Sequence, residues 1–213
     1  MKWNEYENNF IQIAKMQGKT EEYCIQQLEY AKKLFANNFP IIYNQVHFCK
    51  LVGYAEEYVF SACNQPKSFY RTYYIPKRNG KKREISEPLP SLKEIQNWIY
   101  QEILCNVKVS SYAKAYVKGK SIKDNARFHK RQIKVLSMDI KDFFPSIGFK
   151  RVLNVFRNIG YRENVAVLLA NLCCLNNSLP QGAPTSPVLS NIITSKLDDK
   201  IVNYVSNSLY KIC

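Results

Sequence analysis

Apolar residues recur at intervals of three and four through most of the first 66 positions. Leu28, Ala31 and Leu34–Phe35 keep that spacing, which predicts an amphipathic helix. Thr20 is placed to cap it, and Glu21 and Glu22 suit the positive end of its dipole. Pro40 is expected to break the helix. A second helix is predicted for Gln45–Gly53 and a third for Glu56–Cys63. No recognisable chemistry lies in this stretch, so residues 1–66 read as a helical N-terminal extension for packing or substrate docking.

At residue 67 the pattern changes. Phe69-Tyr70-Arg71-Thr72-Tyr73-Tyr74-Ile75 is rich in strand formers, Asn79-Gly80 favours a tight type I′ turn, and Lys81–Ile85 reads as the returning strand. The predicted hairpin carries Lys77, Arg78, Lys81, Lys82 and Arg83, and Pro88 and Pro90 end it. Its cations serve either as edge-guarding, solvated charges or as a clamp over phosphates. Ser91 with Glu94 suggests a capping box for a helix whose Leu92, Ile95, Ile99 and Ile103 face the core, ending near Cys105.

Tyr112–Ser121 reads as strand or loop, and Ile122–Lys130 as a short helix. Ile133–Met138 is predicted to be a half-buried strand that delivers Asp139 at its end. Helices follow at Phe149–Asn158 and Arg162–Cys174, separated by Gly160 as a stop. Ser186 and Pro187 form an N-cap and N1 pair for a last helix with Leu189, Ile192, Ile193, Leu197 and Ile201 inward and Asp198 and Asp199 solvated. The fold class is therefore α/β in the α+β sense.

Charge narrows the partners. Lys and Arg number 31 against 17 Asp and Glu, a formal +14, and such a surplus favours a polyanion, nucleic acid before an acidic membrane surface. Tyrosines and phenylalanines interleave with the cations at Lys67–Tyr74, which suits base stacking beside phosphate contacts. The seven cysteines form no CxxC pair and read as reduced core thiols. Without an apolar leader after Met1, or an apolar run of membrane-spanning length, the expected location is the bacterial cytoplasm, with no membrane partner.

Two segments carry candidate chemistry. In Ser137-Met138-Asp139-Ile140-Lys141-Asp142-Phe143-Phe144-Pro145, carboxylates at a strand end can hold a hard, oxygen-seeking cation such as Mg²⁺. An isolated Asp-x-x-Asp is equally a turn former, and Asp142 can simply accept backbone hydrogen bonds. In Leu179-Pro180-Gln181-Gly182-Ala183-Pro184-Thr185-Ser186-Pro187, three prolines and a glycine stiffen a loop that projects the Gln181 amide, with a helix N-terminus behind it.

From about Phe69 to Asp198 the chain resembles the N-terminal half of a reverse transcriptase, within the bacterial retron and group-II-intron-like class. The resemblance rests on an ordered set. It comprises Ile75–Pro88, Leu92–Gln96, Gly119–Ile122, Asn125-Ala126-Arg127-Phe128-His129, Asp139–Ile147 and Leu179–Asn191. It implies a partial right-hand polymerase fold, with fingers at 67–120 and an incomplete palm at 121–213. It also implies that Asp139 is a catalytic, metal-binding aspartate and that the Ile140 backbone carbonyl supplies a second oxygen to Mg²⁺. Phe144 would be the aromatic gate that excludes a 2′-hydroxyl, with Asp142 and Phe143 near the triphosphate. Lys77 and Arg83 would contact the triphosphate of the incoming dNTP, and Gln181 would lie near that nucleotide. Asn125 and His129 match a motif open to two roles, a structural hydrogen bond or RNA contact.

Members of that class synthesise DNA on an RNA template, often a dedicated structured non-coding RNA, and some act in defence against phage. They use two further aspartates in a Tyr-x-Asp-Asp hairpin and then a thumb, and neither occurs in these 213 residues. The chain is therefore expected to bind RNA without polymerising alone. A second polypeptide completing the palm, or an effector protein, is a candidate partner. The alternatives are a non-catalytic RNA-binding fragment or relic, and a basic membrane-surface or protein-interaction module, for which no amphipathic basic helix is present.

Overall fold

The computed structural model describes residues 2–77, 80–117, 119–130 and 137–206. Four helices open the chain: α1 (Trp3–Met16), α2 (Glu21–Ala36), α3 (Gln45–Val52) and α4 (Glu56–Asn64). A short 3₁₀ turn, Pro66–Phe69, leads into the antiparallel strands β1 (Tyr70–Pro76) and β2 (Lys82–Pro88). Helix α5 (Pro90–Trp98) continues through a π-helical turn, Ile99–Ile103, and a 3₁₀ turn, Leu104–Asn106. Then come α6 (Ile122–His129), α7 (Phe149–Ile159), α8 (Glu163–Cys173) and α9 (Ser186–Ser206). The mixture of helix and strand is as expected, although the only sheet among the described residues is the β1–β2 hairpin.

Helix α8 is the axis of the core. Val165, Ala166, Leu168, Leu169, Ala170, Leu172 and Cys173 are all buried, so this helix is apolar around nearly its whole circumference, as a fully enclosed helix must be. It packs against α7, α4, α3 and α5. The stripe Leu92, Ile95, Ile99 and Ile103 closes on the same cluster, as its spacing predicts. Gln96 is fully buried and donates from Nε2 to the Tyr70 hydroxyl at 2.8 Å and the Leu172 carbonyl at 2.7 Å. It thereby ties the base of the hairpin to the end of α8.

The N-terminal helices are held by aromatic and hydroxyl contacts. Trp3 meets Phe35 edge-on at 5.3 Å, and the Tyr6 and Tyr43 hydroxyls share a hydrogen bond of 2.6 Å. Tyr30 donates to the Ile42 carbonyl, while the Arg162 guanidinium lies 4.3 Å from the centre of its ring. The Tyr161 hydroxyl donates to the Pro40 carbonyl at 3.1 Å. The junction between α7 and α8 thus clasps the 40–43 segment.

Several expectations require correction. Ser91 and Glu94 form no capping box: Pro90 already occupies the first helical turn, Leu89 is the N-cap, and no side chain caps the end. The capping box lies instead at Ser121 and Asp124, on α6. Pro40 does not stop α2, which ends at Ala36. Asn38 adopts a positive φ of 58°, and Phe39 donates back to the Leu34 carbonyl, four residues ahead of any need for proline.

Ser186 is not the cap of α9, because its hydroxyl donates to the Pro180 carbonyl at 2.7 Å and the first helical hydrogen bond goes from Leu189 to the Thr185 carbonyl. Leu197 is exposed whereas Asp198 is partly buried. Burial, then the neighbouring Asp199, hold the Asp198 carboxyl above its ordinary pKa. The cause is geometric: α9 packs along α7 and the Leu104–Asn106 turn, and the inward face defined by Leu189 drifts as the helix continues. The predicted strand Ile133–Met138 lies largely outside the described residues, and its last members, Ser137 and Met138, are exposed and unpaired. Arg78 and Asn79 also lie outside them. The cysteines among the described residues are free thiols, but the expectation that all are core residues requires correction: Cys105 is exposed and Cys63 only partly buried.

The Gln181–Gly182 loop approaches β2 closely. The Ser86 amide donates to the Gln181 carbonyl at 2.8 Å, and Gly182 has φ of 130°. A Cβ on Gly182 would stand 2.8 Å from the Ser86 carbonyl oxygen and 3.0 Å from Ile85 Cγ2. Both the dihedral and the space therefore demand glycine. Gly182→Ala is expected to cost about 1–3 kcal/mol of stability in urea unfolding. A loss below about 0.5 kcal/mol would show that the loop is not held against the strand.

His47 accepts a hydrogen bond at Nδ1 from the Tyr43 amide at 3.3 Å, so this nitrogen must be unprotonated. Burial, and secondarily Lys50, hold the imidazole below its ordinary pKa. The unfolded chain therefore binds the proton more readily. The stability that His47 contributes is complete above about pH 6.5 and is lost as pH falls through the lower folded value. The stability of the wild type should fall on acidification more steeply than that of His47→Ala, and equal slopes would exclude the role.

Candidate functional site

The hairpin divides into an anchored base and a projecting end. Ser86 and Pro88 are buried, whereas Tyr73 to Pro76 and Lys82 to Glu84 are exposed. The ladder pairs Ile75 with Arg83 and Pro76 with Lys82, and it is extended by the Lys77 amide donating to the Lys81 carbonyl at 2.7 Å. Gly80, at φ of 77°, turns the chain, and its amide donates to the Lys77 carbonyl. Strand alternation then puts Lys77, Lys81 and Arg83 on one face of the projecting end and Lys82 on the other. The acids of the hairpin are engaged locally: Glu84 accepts from the Tyr74 hydroxyl, and Glu87 pairs with Lys93 at 2.8 Å. That pairing holds the Glu87 carboxyl below its ordinary pKa.

Asp139 and Ile140 lie exposed just before a tight turn. Within it Asp142 takes a positive φ of 49°, its carbonyl accepts from the Ser146 amide at 2.9 Å, and the Phe144 carbonyl accepts from Ile147 at 3.0 Å. The Ser146 hydroxyl donates to the Phe143 carbonyl. The Asp142 carbonyl, rather than its carboxylate, therefore organises the turn. Phe143 and Phe144 sit with ring centres 5.5 Å apart, half-buried against the core, and the fully buried Ile147 anchors the segment.

The acidic turn and the proline-rich loop are linked through the main chain. The Leu179 amide donates to the Ile147 carbonyl at 3.1 Å, and Phe149 donates to the Asn177 carbonyl at 2.8 Å. The intervening Asn176 and Asn177, with φ of 50° and 60°, make a two-residue turn in which Leu175 and Ser178 exchange both hydrogen bonds. Two residues beyond Leu179, the Gln181 carbonyl takes the Ser86 amide of β2. The 142–149 turn, the 177–182 loop and the base of the basic hairpin thus form one hydrogen-bonded unit. The Gln181 side chain is half-exposed and has no protein hydrogen-bond partner among the described residues.

Asn125 stands apart from this unit. Ile122, Lys123, Asn125, Ala126 and Arg127 of helix α6 are exposed, Ile122 at 90%, and Asn125 has no hydrogen bond among the described residues. The His129 side chain lies outside the described part. The oxygens offered by the acidic segment, two carboxylates and main-chain carbonyls, suit a hard cation that keeps water or phosphate in its remaining positions. No group of three His, Cys, Asp or Glu side chains that could hold a metal occurs among the described residues. No helix among them is long and apolar enough to cross a membrane.

Ser86 and the Asn176–Asn177 turn were not singled out in the sequence. Consecutive asparagines flanked by Leu175 and Ser178 were the available signal, because asparagine tolerates positive φ better than other side chains.

Residues 75–211 match the family described as reverse transcriptase (RNA-dependent DNA polymerase). The retron Ec86 reverse transcriptase of Escherichia coli is 39% identical over 140 residues, which covers 65% of this chain and 44% of that protein. The retron Mx162 reverse transcriptase of Myxococcus xanthus is 36% identical over 150 residues, covering 62% and 31%. The retron Ec83 reverse transcriptase of Escherichia coli is 32% identical over 153 residues, covering 66% and 48%. The match therefore spans less than half the length of each of these relatives. The projecting end of the hairpin, β2, the acidic turn and the glutamine loop all fall within the matched stretch, and the chain belongs to the reverse transcriptase (RNA-dependent DNA polymerase) family, alongside its bacterial retron-type members.

Proposed function

We propose that residues 67–120 are the fingers and 121–213 the first part of the palm of a Mg²⁺-dependent polymerase that copies a structured RNA into DNA, in a system directed against phage. The supporting observation is the main-chain link between the base of the basic hairpin, the Gln181 loop and the 142–149 turn that directly follows Asp139 and Ile140. In this reading Asp139 and the Ile140 carbonyl would hold the cation, which when bound would supply Lewis-acid stabilisation for attack of a 3′-hydroxyl on the α-phosphate and for the leaving pyrophosphate. Lys77 and Arg83, on one face of the hairpin, neutralise the triphosphate, the guanidinium with two parallel hydrogen bonds. Asp142 and Phe143 line its path through the turn. Phe144 closes the space below the sugar and excludes a 2′-hydroxyl by overlap, while the unpartnered Gln181 amide orients the nucleotide.

These 213 residues contain one of the three carboxylates of such a centre, so synthesis requires a further segment or second polypeptide bearing Tyr-x-Asp-Asp. With that segment supplied, Asp139→Asn is expected to lower deoxynucleotide incorporation on a primed RNA template by on the order of a thousand-fold. RNA affinity should be unchanged. Unchanged synthesis in the variant would remove Asp139 from the centre. Robust synthesis by the unassisted chain would overturn its need for a partner segment. The surplus of 31 Lys and Arg over 17 Asp and Glu supports, as a second reading, a non-catalytic RNA binder. In that case complementation yields no synthesis with either form.

Phe144→Ala in the complemented enzyme should admit ribonucleotides, shifting the ratio of deoxy- to ribonucleotide incorporation by on the order of a hundred-fold, because the discrimination is steric. An unaltered ratio would assign the gate to another residue.

A further inference from the structure

A cleft of about 520 Å³ opens between the end of α4 and the Asn176–Asn177 turn, beside the unit that joins the hairpin, the glutamine loop and the acidic turn and sharing Phe149 and Asn177 with it. Its volume lies within the ~300–1,000 Å³ typical of ligand clefts. Five carboxamides line it: Asn64, Gln65, Asn171, Asn176 and Asn177. The backbones beneath them are fixed. Gln65 donates to the Ser61 carbonyl and accepts from Ser68, the Asn171 carbonyl accepts from Cys174, and the Asn177 carbonyl accepts from Phe149. None of the five side chains has a protein hydrogen-bond partner among the described residues. Rigid main chain thus presents up to ten amide hydrogens and five carbonyl oxygens without using them.

The rest of the lining sets the charge. Lys67 is its one ionic side chain, and no carboxylate contributes. Cys63 and Cys174 also face it, and burial pushes both thiols up to about 12, so they remain neutral. Phe149 supplies the single aromatic ring. Positive φ explains asparagine at 176 and 177, but Asn64 and Asn171 are helical and Gln65 has an ordinary negative φ. Amides at those three positions answer no backbone requirement.

We propose that this cleft is a second RNA site, which takes one or two unpaired bases of a single strand. Carboxamides pair with base edges in bidentate fashion, most readily with adenine, and such edges are available in RNA where it is single-stranded. Phe149 offers a stacking surface and Lys67 a phosphate contact. An acidic peptide would call for more cations than one lysine, and a duplex hides the edges that amides read. The inference rests on the RNA-binding reading above and names where an unpaired segment is held.

The test uses the 213-residue chain, thiouridine-substituted single-stranded RNA and a fully paired RNA of the same length. Ultraviolet cross-links in the wild type should map to peptides containing Lys67, Phe149 or Asn177. The triple variant Asn64→Ala, Gln65→Ala, Asn171→Ala should lose single-strand affinity by on the order of ten-fold or more while duplex affinity stays unchanged. Asn171→Asp, nearly the same shape, should also weaken single-strand binding and serves if the triple variant does not fold. Wild-type RNA binding with cross-links confined elsewhere, or variants that bind single strands normally, overturns the cleft and leaves RNA binding intact. Equal loss of single-strand and duplex affinity also overturns it. If the wild type binds no RNA at low salt, both readings fall.

Discussion

The contact between Gly182 and Ser86 is the constraint on which the arrangement of the site depends. A loop carbonyl accepts from a strand amide at 2.8 Å, and the residue after it has no room for a Cβ, which would meet a backbone oxygen at the same distance. Main chain against main chain cannot yield as a flexible side chain can. The position of Gln181 is therefore set by β2, and the position of the β2 base is set by the loop.

That contact is braced from both sides. On the loop side, the Ser186 hydroxyl holds the Pro180 carbonyl, so the first turn of α9 fixes the proline segment from behind. On the strand side, Gln96 spans from Tyr70 to the Leu172 carbonyl and so connects the hairpin to the enclosed helix α8. Its Oε1 is buried without a partner, a free-energy cost of about 1–3 kcal/mol. The two bonds made by Nε2 and the packing around it offset that cost. Behind the acidic turn, Ile147 is fully buried and its carbonyl takes the Leu179 amide. Three elements, β2, the start of α9 and the segment ending the acidic turn, thus converge on one small loop, while the cationic end of the hairpin projects beyond these anchors.

What could be read from the sequence follows from how local each signal is. The helices at 21–36, 45–52, 149–159 and 163–173 carry caps or breakers together with strong periodicity, and the hairpin had both strand formers and a turn dipeptide, so their existence was legible within a residue or two at most ends. The three motif segments were legible as separate pieces. Their assembly was not, because the Leu179–Ile147 and Ser86–Gln181 bonds are main-chain bonds between residues 32 and 95 positions apart, and such bonds leave no mark on side-chain type. The Ser91 and Ser186 readings went astray for one reason: a hydroxyl near a helix start was assumed to cap it. In fact Pro90 displaced the first and a tertiary acceptor captured the second. The amide cleft was invisible because its residues come from three separate segments and none forms a motif.

The division of polar groups over the surface bears on how such a chain distinguishes RNAs. A projecting hairpin whose acids are engaged by Tyr74 and by Lys93 of α5 would offer lysine and arginine to any phosphate backbone, a binding mode that is strong at low salt and blind to sequence. Amides are the reverse: they add no net attraction at long range, and each must exchange water for a base edge of matching pattern. A +14 chain that relied on its cations alone would hold every RNA in the cell with similar affinity. Placing neutral, unpartnered amides on rigid main chain, with Lys67 as the one cation beside them and the hairpin's cations elsewhere, separates most of the groups that attract from the groups that read. The Phe149–Asn177 hydrogen bond joins the reading cleft directly to the segment that follows the acidic turn. In the proposed reading, a base seated in the cleft would rest on backbone continuous with the turn that holds Phe144.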